Sequence, residues 1–247
     1  MSTYRAAPIT RTPAYKQVAN AIEADIVSGR LAVGDELPTE AALSEQFGVT
    51  RSTVREGVRM LEQTGLVARG GAKRLVVAQP STLDMAKTAA RGLSVAGVTF
   101  GEVWEVLATN FPHGARLAAE RADEATLSAM RDVITQLFDT ANDDHESTVE
   151  HATDFLSLVS AGVSNRFMQM MLESLTELIA ESLRQVIGGA PEARERILKA
   201  QSEILTAIEV RDGECAQDWM RRHIDDLKRG YDIAGVGLDS VLRGLDA

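Results

Sequence analysis

The chain has 247 residues, of which 45% are hydrophobic and 25% charged, and its formal net charge at pH 7 is −10. This composition is typical of a globular protein with a sizeable core, and the length allows one or two domains. The single cysteine, Cys215, excludes an intrachain disulfide and a thiolate metal cage. Because the sequence has neither an apolar run of ~18 residues nor an apolar N-terminal block, we expect no membrane span and no secretory signal.

Charge is unevenly distributed along the chain. Residues 1–80 contain 10 Lys and Arg against 8 Asp and Glu, whereas residues 81–247 contain 16 against 28. Within residues 49–75 the count is 6 basic against 2 acidic. A small basic region joined to an acidic body is a pattern associated with nucleic-acid contact, although the same charges also suit a solvated surface.

Turn residues and apolar periodicity divide the first 80 residues into short elements. In chain order we predict a flexible arm over 1–12, helices over 13–28, 39–47 and 51–63, and two short strands within 66–78 around a Gly-Gly turn. Apolar residues recur every three or four positions in the helices, and Gly48 ends the second of them. This order predicts a winged helix-turn-helix domain over 13–80.

The rest of the sequence has almost no strand signal. We predict a linker or connecting helix over 81–97, then helices at about 100–121, 124–141, 145–163, 165–187, 191–212 and 214–233, and a tail over 234–247. These helices predict an all-α bundle of six or seven helices over 98–233. The predicted fold is therefore mostly α, with one small β-hairpin.

The strongest local signal is the start of the third helix. Thr50 is a good N-cap, and Arg51, Ser52 and Thr53 form the first turn. The unpaired N–H groups and the positive end of the helix dipole favour a phosphate at such a position. We therefore expect these four residues to contact DNA.

Three arginines recur along the same helix. Arg51, Arg55 and Arg59 are four residues apart, so they share one stripe beside the apolar stripe of the helix. One face can then pack while the other enters a major groove, where arginine grips guanine or phosphate. The alternative is an ordinary solvated basic face.

The hairpin tip is small and basic. Gly70 and Gly71 permit a tight turn and a close approach to DNA, and Lys73 adds positive charge. We interpret the tip as a wing that contacts the minor groove or the backbone, with an ordinary hairpin turn as the alternative.

Residues 13–80 resemble the GntR family of bacterial transcription regulators. The resemblance depends on Asp35-Glu36-Leu37-Pro38-Thr39-Glu40, Leu43, the run from Gly48 to Glu56, and Leu61 with Gly65-Leu66. It implies that Thr50, Arg51, Ser52 and Arg55 contact operator DNA, and that the wing tip reaches the minor groove. The family usually has arginine where this chain has Ala41. One DNA contact of the family is therefore expected to be missing.

Residues 98–230 resemble the helical ligand-sensing domain of the FadR-type subfamily, which is called the FCD domain. The matching residues are Leu117 to Ala122, Phe155, Asn165, Ala207-Ile208, and Asp212, Met220 and His223. The additional predicted helix before residue 98 favours the seven-helix form. The resemblance implies that this domain binds a small effector.

Many FCD domains hold a divalent metal with one aspartate and three histidines. The matching positions here are Ala152, Leu156, Gln201 and His223, of which only His223 is a ligand residue. One imidazole cannot hold a cation that takes about four to six ligands, so we predict no metal and no cofactor. His151 and Asp154 lie near the first two positions, which leaves a rebuilt metal site as the alternative.

Loss of the ligands makes the expected cavity more apolar. Ala152 and Leu156 would form its wall, and Gln201 and His223 would supply hydrogen bonds. Such a cavity suits an amphipathic effector, for example an acyl chain, a CoA thioester or a hydrophobic acid. The alternative is that all four residues simply fill the core.

The sequence thus predicts a cytoplasmic, nucleoid-associated transcription regulator, a repressor that binds a palindromic operator as a homodimer and responds to a metabolite. No nucleophile elbow, P-loop or HExxH motif is present, so we do not expect an enzyme. The alternatives are a metal-dependent sensor of a small carboxylic acid, a helical enzyme with a DNA-binding module, and a nucleoid protein without sequence preference.

Overall fold

The structure is a computed structural model, which describes residues 12–71, 74–141, 144–189, 192–235 and 237–241. Its elements are α1 (Ala14–Val27), α2 (Glu40–Phe47), α3 (Arg51–Gln63), β1 (Val67–Arg69), β2 (Leu75–Val77), α4 (Thr82–Val95), α5 (Phe100–Arg121), α6 (Glu124–Asp139), α7 (His145–Gly162), α8 (Arg166–Gly189), α9 (Ala193–Glu209) and α10 (Gly213–Ile233). The chain divides into two compact units between Ser81 and Thr82. Except for Thr12, the predicted arm lies outside the described residues.

A small apolar core holds the first unit together. Val54, Val58 and Leu61 of α3 are at most 2% exposed and belong to one cluster with residues of α1, α2 and the strands. Gly57 allows α3 to approach α1 closely, because a Cβ atom there would lie 2.8 Å from the carbonyl oxygen of Tyr15. One face of α3 is thus committed to packing, and the opposite face is left to solvent.

A tight turn joins α2 to α3. Gly48 ends α2 with a positive φ of 63°, which is accessible to glycine at little cost. The N–H groups of Gly48 and Val49 donate to the carbonyls of Glu45 and Ser44 at 3.3 and 3.1 Å. Thr50 then caps α3, so only three residues separate the two helices.

The hairpin after α3 is antiparallel and pairs Val67 with Val77. Its β2 strand has a second neighbour, because the N–H of Leu37 donates to the carbonyl of Leu75 at 2.8 Å and the N–H of Val77 to that of Asp35 at 2.9 Å. The base of the hairpin is therefore anchored to the segment that precedes α2.

The second unit contains α4 to α10, and its described residues form no β-strand beyond the isolated bridge between Thr99 and Val241. Helix α5 packs against α7, α8, α9 and α10, and α8 packs against α4 and α7. Its core includes Phe111, Phe155 and Tyr231, all fully buried. The prediction of a winged helix-turn-helix followed by a bundle of six or seven helices is confirmed.

The two segments that flank the predicted bundle also pack on it. Residues 82–95 of the predicted linker form α4, whose Ala86 and Ala90 are buried and which packs against α8. In the predicted tail, the carbonyls of Leu238 and Ser240 accept from the N–H groups of Gly101 and Phe100 at 2.8 and 2.9 Å. These N–H groups lie in the first turn of α5, where no intrahelical acceptor exists.

Candidate nucleic-acid interface and effector cavity

The N-terminus of α3 is an exposed cluster of hydroxyl groups. Oγ1 of Thr50 accepts from the N–H of Thr53 at 3.3 Å and lies 2.9 Å from the hydroxyls of Ser52 and Thr53. Thr50, Arg51 and Ser52 are exposed, and Thr53 is partly buried. The first turn therefore presents N–H and O–H donors together at the positive end of a helix of 13 residues. This arrangement suits an anion such as a DNA phosphate.

The three predicted arginines lie on the exposed face of α3. Arg51, Arg55 and Arg59 are all exposed, whereas Val54 and Val58, between them in sequence, are fully buried. The helix thus separates a packing face from a basic face, as the spacing predicts. An α-helix with such a face fits the major groove of B-DNA.

The basic face borders an open groove of about 930 Å³ between α2, α3 and the hairpin. The charged residues along it are Arg51, Arg55, Arg69, Arg74, Glu36 and Glu40. Ala41 also lines the groove, at the position where the family has arginine. A surface with four arginines around one concavity can follow a phosphate backbone.

Acidic residues of the groove pair with its arginines. Glu40 accepts from Nε and Nη2 of Arg55 at 3.1 and 3.0 Å and lies 3.8 Å from Nη2 of Arg69. Glu36 pairs with Arg74 at 2.7 Å, and their hydrogen bond raises the pKa of the Arg74 guanidinium. The sequence did not predict these pairs, because the paired residues are far apart along the chain. The partner of Glu36 is 38 positions away, and the partners of Glu40 are at least 15 positions away.

The wing tip is only partly described. Gly70 is partly buried and donates from its N–H to the carbonyl of Arg74 at 2.8 Å, and Gly71 is exposed. Lys73 lies outside the described residues. Arg69 and Arg74 flank the tip and contribute to the groove.

All four predicted effector residues line one cavity of the second unit. Ala152, Leu156, Gln201 and His223 enclose about 30 Å³ together with apolar side chains of α8, α9 and α10. That volume has room for about two water molecules. The structure therefore brings together positions that are distributed over 72 residues of sequence.

Gln201 lines this cavity and is fully buried. Its Nε2 donates to the carbonyl of Ala152 at 3.0 Å and lies 3.5 Å from Nε2 of His223. Its Oε1 is buried without a hydrogen-bond partner among the described residues. Burial lowers the pKa of the partly buried His223 to about 4, so this imidazole is neutral at pH 7.

An ion pair that the sequence did not reveal also borders the cavity. Nε of Arg196 on α9 lies 2.9 Å from Oδ2 of Asp226 on α10, and both side chains line the cavity. Arg196 precedes Gln201 by five residues, and Asp226 follows His223 by three. The spacing of three places Asp226 on the same helical face as His223 and could have suggested it, whereas a spacing of five does not point to Arg196.

The donor set of the cavity does not fit a divalent cation. It consists of one imidazole, one amide and an Asp226 carboxylate that already pairs with Arg196, whose positive charge repels a cation. Nδ1 of His151 lies 3.1 Å from Oγ1 of Thr140, and neither His151 nor Asp154 is among the described residues that line the cavity. In the described parts of the chain, no three His, Cys, Asp or Glu side chains are grouped so that they could hold a metal ion.

The basic face and groove of the first unit, with a helical bundle that encloses a cavity, define a class: DNA-binding transcription regulators with a ligand-sensing domain. Two family descriptions match the chain, "Bacterial regulatory proteins, gntR family" over residues 14–77 and "FCD domain" over residues 112–226. The protein belongs to the GntR family and has the domain architecture of its FadR-type members.

Individual relatives agree with this assignment. The chain is 26% identical over 231 residues to the Glc operon transcriptional activator of Escherichia coli K12, and the aligned region covers 90% of this chain and 91% of that protein. It is 51% identical over 49 residues to the mannosyl-D-glycerate transport/metabolism system repressor MngR of the same strain, and the aligned region covers 20% of each protein. Both relatives are transcription regulators, and both matched domains are domains of such regulators. This agreement confirms the expectation that the chain is a regulator and not an enzyme.

A solved structure supports the fold. The Streptococcus agalactiae GntR structure has a TM-score of 0.60 at 22% identity and covers 87% of this chain and 99% of that one. None of the described helices is both long and apolar enough for a membrane span.

Proposed function

We propose that this regulator is a dimeric repressor that binds a palindromic operator and is released from it by a small organic effector. The observation that carries the DNA-binding part is the exposed arginine face of α3, which lies beside a face that is fully buried. Operator binding would place the protein on the bacterial nucleoid, in the cytoplasm.

In this proposal each part of the first unit has one task at the operator. The N-terminus of α3, with Thr50, Ser52 and Thr53, binds a phosphate, and the arginine face reads bases or clamps phosphates in the major groove. The wing residues Gly70, Gly71 and Lys73 contact the minor groove or the backbone. The arrangement of α3 beside the groove of four arginines supports this division.

A dimer follows from the limited reach of one recognition helix. A single helix in the major groove contacts only a few base pairs, which is too short a sequence to specify one site in a genome. Two copies related by a twofold axis read two half-sites, and a palindrome is the DNA sequence with the matching symmetry. We therefore expect half-sites that are separated by about one helical turn or a multiple of it.

The effector part depends on the size and chemistry of the cavity. A volume of about 30 Å³ does not admit an organic acid, so an effector enters only if α8, α9 and α10 separate. Occupancy would thus require a different arrangement of the bundle, which is the condition for a ligand to shift a conformational equilibrium. We propose that the shifted arrangement mismatches the half-sites and releases the operator.

The polar groups restrict what the effector can be. Arg196 pairs with Asp226 through Nε and has further N–H donors for an acidic group, and Oε1 of Gln201 offers an acceptor to a donor group. The remaining wall, with Ala152 and Leu156, is apolar. An acyl chain, a CoA thioester or a hydrophobic acid, bound without a metal, fits this chemistry. Stoichiometric zinc, nickel or manganese that is lost in His223→Ala would contradict the metal-free site and favour the metal-dependent sensor.

The direction of regulation is tested by titration. One of the two Escherichia coli relatives is named as an activator and the other as a repressor, so their names do not decide the direction of regulation. Organic acids of increasing chain length are screened by the shift in unfolding temperature, and each binder is then titrated into a complex with an operator that was selected in vitro. We expect operator affinity to fall as the site saturates. A binder that leaves the affinity unchanged through saturation would contradict the mechanism.

A further inference from the structure

Glu40 is the only described residue whose carboxylate contacts arginines of both the recognition helix and the wing. It is the first residue of α2, directly after the N-cap Thr39, and its side chain is 22% exposed. One oxygen accepts from Arg55 of α3, and the other lies 3.8 Å from Nη2 of Arg69 of β1. Glu40 therefore links three elements that line the groove.

The contact with Arg55 uses one particular edge of the guanidinium. Nε and Nη2 both donate to Oε2 of Glu40, at 3.1 and 3.0 Å. These two nitrogens form the lateral edge of the planar group, so Nη1 and the outer N–H of Nη2 are left for another acceptor. A pair of parallel donors is what guanine accepts at O6 and N7 in the major groove.

The negative charge of Glu40 has a second effect. The groove that it lines has four arginines against two glutamates, and this surface would approach the DNA backbone. A carboxylate there repels phosphate whatever the base sequence, which weakens binding to random DNA. A restrained arginine discriminates between bases, whereas an unrestrained one can turn to the nearest phosphate.

We infer that Glu40 is a positioning residue that determines base specificity. It holds Arg55 with one donor edge toward guanine, and it lowers the affinity for DNA that lacks the operator sequence. This inference rests on the proposed placement of α3 in the major groove. Glu40 thereby raises the ratio of specific to non-specific affinity, and it touches no base itself.

Three substitutions separate orientation from charge. Glu40→Gln removes the charge and weakens the hold on Arg55. Glu40→Asp keeps the charge but shortens the side chain by one methylene, so it withdraws from Arg55. Glu36→Gln is the control for charge alone: it also removes one negative charge from the groove, but Glu36 pairs with Arg74 and not with Arg55. Arg55→Ala identifies the base pair that Arg55 reads.

The experiment starts with in vitro selection of the wild-type site from a random duplex library. Dissociation constants at one salt concentration are then measured for the selected duplex, for duplexes with each guanine replaced by adenine, and for a scrambled duplex. At the position that Arg55→Ala identifies, we expect both Glu40 variants to lose about tenfold in discrimination. Binding to the scrambled duplex should tighten in Glu40→Gln and Glu36→Gln and stay unchanged in Glu40→Asp.

Two results would overturn the inference, and they are distinguishable. If both Glu40 variants discriminate bases as well as Glu36→Gln, Glu40 positions nothing, and the placement of α3 stands. If Arg55→Ala itself retains every base preference, the proposed role of Arg55 fails and the inference fails with it. Thermal unfolding of each variant shows that the domain remains folded.

Discussion

Helices α3 and α9 carry the two candidate sites, and they differ in how their functional residues are held. On α3 the arginines are exposed and four residues apart, so the sequence of one helix defines the site. On α9, Gln201 is fully buried and its contacts are 49 and 22 residues away in sequence. A surface for DNA can thus be local, whereas a cavity for an effector depends on packing between distant helices.

The largest expected effect concerns the buried imidazole of the α9–α10 cavity. The pKa of His223 is about 4 in the folded protein against an ordinary value of 6.5, so below pH 6.5 the unfolded chain binds more protons. Stability is therefore full above pH 6.5 and falls as the pH drops to 4, by roughly 2–3 kcal/mol from this residue. Urea unfolding at pH 7 and 4.5 should show that the free energy of unfolding falls less between these pH values in His223→Gln than in the wild type.

His151→Gln is the control for this prediction, because that imidazole contacts Thr140 and not the cavity. It should lose as much stability on acidification as the wild type does. Equal losses in His223→Gln and the wild type would show that the cavity does not hold a neutral imidazole.

The corresponding test of α3 removes charge from its exposed face. Arg51→Ala and Arg55→Ala should each weaken binding to the selected operator by about 1–3 kcal/mol, because a base-reading contact is lost. Their unfolding free energies should change little, since both side chains are exposed. Fluorescence anisotropy titrations measure the affinities. Arg30→Ala removes the same charge from an arginine outside the groove and should bind normally.

A smaller effect sharpens the difference between stability and function in the cavity. Gln201→Leu removes the unpaired Oε1 and should raise the free energy of unfolding by about 1 kcal/mol. The same change should abolish the effector's influence on operator affinity and leave the affinity of the free protein intact. A destabilised variant would show that the unpaired Oε1 does not cost the fold stability, and a variant that still responds would show that this amide does not serve the effector.

The smallest expected effect restores the arginine that the family has at position 41. Ala41→Arg should tighten operator binding by a few-fold and increase the dependence of affinity on salt by about one phosphate contact. Ala42→Arg adds the same charge at a position that does not line the groove. If both variants bind equally, only net charge is involved, and the missing contact is not restored.

Much of the fold could be predicted because each helix carries its own apolar period and cap. The predicted limits of α3 and α5 match the structure, but the predicted helix 191–212 continues past its end at Glu209. Arg211 explains the difference: its backbone has a positive φ of 62°, and its guanidinium donates to the carbonyls of Ala119 and Ala122 at 3.1 and 2.8 Å. A partner some 90 positions away leaves no local signal.

The same reason separates the predicted site residues from those that were missed. Arg51 and Arg55 follow from spacing alone, and the four cavity positions came from resemblance to a family. Glu40 and the Arg196–Asp226 pair required the tertiary structure, because their roles depend on side chains of other elements. Pairing across elements is therefore what the sequence does not display.

Native mass spectrometry of the purified protein, alone and with its selected operator duplex, tests the central claim that effector and operator exclude each other in a dimer. We predict a free dimer that carries an organic mass, and an operator complex with two protomers per duplex that lacks this mass. An operator complex that retains the organic mass at the same occupancy, or that contains one protomer, would contradict the account.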